Sequence, residues 1–253
     1  MEKENNLFEK IQNLLANFNG NFNILEEEIN INTQLEYFES SKTVRKNFDK
    51  KHTLEIKENL FSNETPIDEK KSLLVKLASI DQVEAYRVLE RYNQQPDPSL
   101  KDWSILAMKE NKMLLESVFL DQNQIFISTG LGGKGKKLRY FVVFLSKFNL
   151  HFDNFQKKIV KSEVEYTIKE SDGEIEKLYF SDTFCSVKVC LPIESNINEV
   201  FTKAIDACNQ FGEMLEENYI LTNTKEFSID EIKDVLKSLK TNSSTNSGKM
   251  NIF

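Results

Sequence analysis

The fold is decided at residues 124–146, which read QIFISTGLGGKGKKLRYFVVFLS. Up to Val118 the apolar residues recur at helical spacing, and from Ile125 onward they follow the period of two that is typical of strands. Residues 138–146 are rich in aromatic and β-branched side chains and are apolar on both faces, which predicts a central strand. We therefore expect a helical N-terminal half, an α+β C-terminal half, and a boundary near residues 120–124.

The residues before this boundary carry helix signals. Apolar side chains at helical spacing predict a first helix over residues 7–18, and the polar residues 41–65 indicate an exposed helix or a linker. Three helices separated by short breaks follow over residues 66–120. This stretch resembles a short HEAT-type array of antiparallel helices, and the resemblance implies a groove for a partner. We assign residues 1–120 to one helical domain.

The residues after the boundary predict an antiparallel sheet with helices in the order ββαβββαα. Alternating apolar residues over 164–171 predict a strand, and the Asp172-Gly173 pair behind it predicts a tight hairpin turn. The other predicted strands and helices cover residues 125–129, 138–146, 152–159, 175–180, 184–191, 197–215 and 229–239.

This order resembles the longin/roadblock arrangement, in which helices lie on the faces of one antiparallel sheet. A ferredoxin-like sheet with an extra hairpin is the alternative. We assign residues 121–240 to this α+β domain. Residues 241–253 are rich in Ser and Asn and are expected to be a disordered tail.

The composition of the chain limits the classes of protein to which it can belong. The chain has 253 residues and a formal net charge of −7, which argues against a general nucleic-acid coat because such proteins need clustered Lys and Arg. Three cysteines without CxxC spacing and two histidines cannot form a standard zinc site, so we expect reduced thiols, no metal and no cofactor. No apolar run approaches the ~20 residues of a membrane helix. With no signal peptide predicted, we expect a cytoplasmic protein.

A glycine- and lysine-rich loop is the most unusual feature. Its spacing approaches that of a phosphate-binding P-loop, but Lys137 replaces the Ser or Thr that would hold magnesium, and a strand follows instead of a helix. Glycines let backbone N–H groups turn toward an anion, and lysines add charge. We predict an exposed hairpin that binds an anion or a partner; the alternative is a solubilising turn. The predicted site consists of Gly130, Gly132, Gly133, Lys134, Gly135, Lys136, Lys137 and Arg139.

The sequence favours a binding module over an enzyme. It shows no Ser/His/Asp or Cys/His set and no paired carboxylates, so no catalytic residue is assigned. We hypothesise a non-enzymatic adaptor with a protein partner. One alternative is an RNA- or ribosome-associated factor that contacts phosphate through residues 134–139, and another is an enzyme for a phosphorylated substrate. Trp103, on an apolar helix face, is predicted to be a core residue. The sequence leaves the oligomeric state open.

Overall fold

The computed structural model describes residues 21–121 and 124–242, which form two compact units. The first unit contains the described residues up to Leu25 and those within Ile29–Ile127. The second contains Glu26–Glu28 and the described residues from Ser128 onward. The helix predicted over residues 7–18 and the tail from residue 243 lie outside the described residues. Independent folding of residues 1–120 and 121–240 stays a prediction.

The first unit is mainly helical. Its strand β1 (Asn21–Ile24) pairs in parallel with β2 (Gln124–Ile127). Five helices lie between them, and short 3-10 turns precede the third and the fifth. The polar residues 41–65 are helical over most of their length and are not a linker. The five helices are α1 (Ile31–Val44), α2 (Lys50–Glu55), α3 (Ile67–Ala78), α4 (Val83–Gln94) and α5 (Lys101–Leu120).

A single apolar core holds these helices together. Tyr37 of α1 and Trp103 of α5 meet edge to face, with ring centroids 5.3 Å apart, and both are buried. The Nδ2 of Asn111 donates to the carbonyls of Leu77, Ala78 and Ile80. Leu77 and Ala78 are the last residues of α3 and Ile80 follows it, so the buried amide supplies donors to carbonyls at the C-terminal end of the helix.

The second unit contains one antiparallel five-stranded sheet. A short strand β3 (Gly133–Lys134) pairs with β4 (Lys137–Ser146), which also pairs with β6 and β7. The remaining elements are α6 (Asn154–Glu170), β5 (Glu174–Phe180), β6 (Phe184–Pro192), α7 (Ile197–Asn209), β7 (Leu215–Thr222) and α8 (Ile229–Asn242).

The four long strands lie in the order β7-β4-β6-β5. Numbered along the chain, this order is 4-1-3-2, and the elements from β4 to β7 run β-α-β-β-α-β. That is the ferredoxin-like arrangement. The α+β class predicted from the sequence is confirmed, whereas the resemblance to the longin/roadblock order is replaced by the ferredoxin-like alternative.

Both faces of this sheet are covered. On one face, Val142, Phe144 and Val187 pack in the main core with α6 and α7. On the other face, Phe141, Val143 and Ile220 pack with Ile232 of α8. Alternating strand residues therefore enter two different cores, which explains why β4 is apolar on both faces.

Two predicted elements are wrong. Residues 164–170 are the end of α6 and not a strand, because Val160, Val164 and Ile168 form a buried stripe at helical spacing. Asp172-Gly173 consequently joins a helix to β5, and does not close a hairpin. In addition, β2 pairs with β1 of the first unit, so it is not part of the second unit's sheet.

Candidate functional site

The glycine-rich loop is half buried, which corrects the expectation of an exposed loop over residues 130–137. A Cβ atom added to Gly130 would lie 1.7 Å from the carbonyl oxygen of Thr224. Gly132 has a φ of +66°, and its Cβ would lie 2.6 Å from the carbonyl oxygens of Glu26 and Glu27. Gly130 and Gly132 therefore allow close backbone packing inside the second unit, which is a structural role.

The exposed part of the loop is the tip of a small hairpin. Gly133 pairs with Leu138 and Lys134 with Lys137, so the chain reverses at Gly135-Lys136. Gly135 has a φ of +60°, which the turn requires, and its backbone N–H donates to the carboxylate of Glu26 at 2.9 Å. The predicted hairpin exists, but its two strands are β3 and β4, and β2 is not one of them.

Cations of the predicted site pair with acids of the second unit. Lys134 contacts both carboxylate oxygens of Glu174, at 2.7 and 2.8 Å, and this hydrogen bond lowers the pKa of Glu174. Lys137 lies 3.4 Å from the Asp172 carboxylate. Arg139 Nε donates to a carboxylate oxygen of Glu176 at 2.8 Å. The local field is therefore balanced, and anion binding by this loop stays a prediction.

Further charges lie on the adjacent sheet face. Lys188 of β6 has a side chain that is only 11% exposed, and it pairs with Glu28 and with Glu226. Glu226 also pairs with Lys177 of β5. These acids and bases neutralise one another, so this face presents an ion-pair network.

The loop can be tested by removing its charge. Replacing Lys134, Lys136 and Lys137 together by Ser is expected to change the free energy of unfolding by less than about 1 kcal/mol, because exposed ion pairs contribute little. Urea unfolding followed by circular dichroism would measure this. A loss well above that value would show that the ion pairs hold the hairpin in place.

The sequence analysis missed a second feature, an exposed turn between β4 and α6 that we call the aromatic turn (Lys147–Phe155). Phe148 is 69% exposed and Phe155 is 64% exposed, and Leu150 between them is also exposed. All three lie within residues 148–155, although Phe152 in the same segment is buried. Several exposed apolar residues in one short segment are typical of an interaction surface, whereas isolated exposed apolar residues are common.

Hydrogen bonds from its backbone N–H groups hold the aromatic turn in an uncommon conformation. Phe148 and Asn149 both have a φ of 56°, in the left-handed region. That conformation costs Phe148 about 1–2 kcal/mol, whereas asparagine adopts it readily. Hydrogen bonds maintain it: Lys147 N–H donates to the Met214 carbonyl at 2.8 Å and Phe148 N–H to the Glu216 carboxylate at 3.0 Å.

Positive charge accompanies the exposed rings. Residues 147–161 contain four lysines and one acid, in a chain whose net charge is −7. The acid, Asp153, is occupied as the N-cap of α6 and accepts from the Phe155 and Gln156 N–H groups. Across residues 21–121 and 124–242, no carboxylate pairs with Lys157 or Lys158. Lys147 and Lys161 pair with Glu213 and Glu165. The ammonium groups that accompany the exposed rings and stay available are therefore those of Lys157 and Lys158.

No protein-family model matches the chain, and no curated protein matches it significantly. Solved structures do resemble part of it. A transposase-assigned protein from Deinococcus radiodurans is 11% identical with a TM-score of 0.35, over 43% of this chain and 93% of its own. A REP-associated tyrosine transposase bound to a REP hairpin is 9% identical with a TM-score of 0.32, over 42% of this chain and 69% of its own.

The comparisons correct the functional hypothesis. Both of these neighbours are described as transposases and neither as an adaptor, so the hypothesis of a non-enzymatic adaptor is contradicted and is withdrawn. TM-scores below 0.5 do not carry a transposase activity over to this chain. Within the described residues, no helix is long and apolar enough to cross a membrane, and no group of three potential ligands is placed to hold a metal ion.

Proposed function

We propose that the second unit binds single-stranded nucleic acid through the aromatic turn and the first turns of α6. The observation that carries the proposal is the pair of exposed rings, Phe148 and Phe155, next to lysines that no carboxylate of the described chain neutralises. Aromatic faces that stack bases and cations that follow the backbone are the two components of single-strand binding sites. Three buried free cysteines support a reducing, cytoplasmic setting as part of the proposal.

The exposed rings and the lysines are expected to contact different parts of the nucleic acid. Phe148 and Phe155 offer exposed faces on which bases can stack, and stacking accepts any base because each has a π-face. Lys157 and Lys158 lie on the first turns of α6, close in sequence to Phe155, where they can contact phosphates. The acidic remainder of the chain would repel a polyanion, which restricts binding to this end of the sheet.

The sheet face that packs with α8 is not the proposed surface. In RNA recognition motifs, aromatic residues on a four-stranded sheet stack the bases. In this unit Phe141, an aromatic residue on the sheet face that packs with α8, is 2% exposed and packs against Phe227, with ring centroids 6.1 Å apart. Phe141 is therefore too buried to stack a base, and Tyr179 on the same face is less exposed, at 43%, than Phe148 and Phe155. The rings at the end of the sheet are the better candidates.

Fluorescence anisotropy with a labelled oligothymidine of about 16 nucleotides tests the proposal. Phe148→Ala and Phe155→Ala are each expected to weaken binding about 5- to 150-fold, because stacking contributes about 1–3 kcal/mol per base. Phe119→Ala is the matched control, since Phe119 is 68% exposed but belongs to the first unit, and it should leave binding unchanged.

Salt dependence supplies a second readout. Replacing Lys157 and Lys158 by Ser should flatten the dependence of log K on log salt by roughly 0.7 for each phosphate that a lysine no longer neutralises. Wild-type binding weaker than a Kd of about 100 µM at low salt would contradict the proposal. So would equal reductions in affinity in the Phe119 and Phe148 variants. Binding to anionic vesicles without binding to the oligonucleotide would reassign the turn to a lipid surface.

A further inference from the structure

The first unit contains a cavity of about 450 Å³ between the 3-10 turn that precedes α3 and the end of α4. Its wall combines charged and amide side chains with aromatic, proline and leucine surfaces. The residues that matter to the inference are Phe61, Lys70, Arg91, Tyr92 and Asp97.

Lys70 is the central group, because its side chain is only 3% exposed. Its Nζ donates to Asp97 Oδ2 at 2.7 Å, and the Tyr92 hydroxyl donates to the same oxygen at 2.5 Å. Within the described part of the chain, Asp97 is the one acceptor that Lys70 reaches. An ammonium has three N–H donors, so two remain available at the cavity wall.

A buried cation with open donors needs further acceptors. Removing an ammonium from water costs several kcal/mol, and one carboxylate repays this only when the remaining donors are also satisfied. Asp97 is already shared with Tyr92, and its hydrogen bond with Lys70 lowers the pKa of Asp97. Acceptors from outside the protein chain, either water or the oxygens of a ligand, can satisfy the other two donors.

Arg91 supplies a second cation to the same cavity. Its guanidinium lies 4.0 Å from the centroid of the Phe61 ring, and Nη2 binds both carboxylate oxygens of Glu58 at 2.8 Å. Arg91 and Glu58 are both largely exposed, so this pair is weak and exchangeable. An incoming carboxylate can replace Glu58, because guanidinium and carboxylate groups match in planar geometry.

We infer that this cavity binds a small organic carboxylate, whose oxygens accept from Lys70 and Arg91 and whose apolar part lies against Phe61. The chemistry of the wall favours this class: one of its two cations is buried with donors to spare, and the other pairs only with the exposed, exchangeable Glu58. An aromatic ring in the ligand would add the offset or edge-to-face contacts that Phe61 and Tyr92 already make with each other, with centroids 5.8 Å apart.

The test uses benzoate as the probe and benzamide as its uncharged analogue, with saturation-transfer NMR and thermal shift on the full chain. Benzoate is expected to bind with a Kd near about 1 mM or tighter, and benzamide at least about 10-fold more weakly. Arg91→Gln should weaken benzoate binding at least about 10-fold, which is the effect of removing one charge-assisted hydrogen bond. Arg87→Gln, on the exposed face of the same helix, is its matched control.

Lys70→Met should abolish benzoate binding, whereas Lys76→Met on the same helix should not. If Lys70→Met fails to fold, the Arg91 pair of variants decides the question. Equal binding of benzamide and benzoate, unchanged binding in Arg91→Gln, or no benzoate binding by the wild-type protein would each overturn the inference. In those cases Lys70, Tyr92 and Asp97 only anchor the Pro96–Pro98 segment to α3.

Discussion

Substitution of Gly130 by Ala is expected to destabilise the second unit by about 3 kcal/mol or more. The added Cβ would lie 1.7 Å from the Thr224 carbonyl oxygen and 2.5 Å from the carbonyl carbon. Both are backbone atoms that follow β7, so the clash cannot be relieved by rotating a side chain. The buried turn would have to move away from β7, and Leu131, which is 1% exposed, would move with it.

Urea unfolding of Gly130→Ala measures this destabilisation, with Gly135→Ala as the matched control. A Cβ on Gly135 meets nothing within 4 Å. Gly135→Ala should therefore lower the free energy of unfolding only by the penalty for a left-handed backbone at alanine, about 1–2 kcal/mol. Equal destabilisation by the two variants would contradict the packing of the glycine turn against Thr224. It would also revive the interpretation of residues 130–137 as one exposed loop.

Trp103→Ala is expected to destabilise the first unit by about 3–5 kcal/mol, the usual effect of emptying an aromatic core position. Trp103 is 3% exposed, contacts the Tyr37 ring, and has the Lys71 ammonium 4.8 Å from its ring centroid. Thermal unfolding followed by circular dichroism would measure the change. Lys71→Met removes the cation contact but keeps the Trp103 ring, and should lower the free energy of unfolding by about 1 kcal/mol or less.

A near-neutral Trp103→Ala would show that the α1–α5 contact is not part of the core. The same variant should leave oligonucleotide binding intact in any molecules that remain folded, since the proposed binding surface belongs to the other unit. Loss of binding without loss of stability would make Trp103 a contact residue.

Local sequence patterns predicted much of the fold. The strand period from Ile125 onward, the apolar run of β4 and the break at Pro96–Pro98 all correspond to observed features. The end of α6 was predicted as a strand for a clear reason. Val164, Tyr166 and Ile168 fit the period of two of a strand as well as part of a helical stripe. Only the packing distinguishes the helix from a strand here, since Tyr166 is 59% exposed while Val164 and Ile168 are buried.

The site was harder to predict because its determinants are distant in sequence. Nothing near Gly130 indicates that Thr224 lies against it, or that Glu174 lies beside Lys134. Composition identified an unusual loop, but the acids that neutralise it come from other parts of the chain. The aromatic turn was missed for the opposite reason: its phenylalanines are apolar, and apolar residues are ordinarily assigned to a core. The left-handed and helix-capping context that exposes them becomes visible only in three dimensions.

Ultraviolet crosslinking of the full chain to an oligothymidine, followed by mass spectrometry of the crosslinked peptides, tests the central claim most directly. The proposal predicts crosslinks within residues 147–161, at Phe148 or Phe155, and their disappearance in the double alanine variant. Crosslinks at the hairpin of residues 134–139 would contradict it in favour of the glycine-rich loop. An absence of crosslinks under conditions where a single-strand-binding control protein is labelled would contradict nucleic-acid binding altogether.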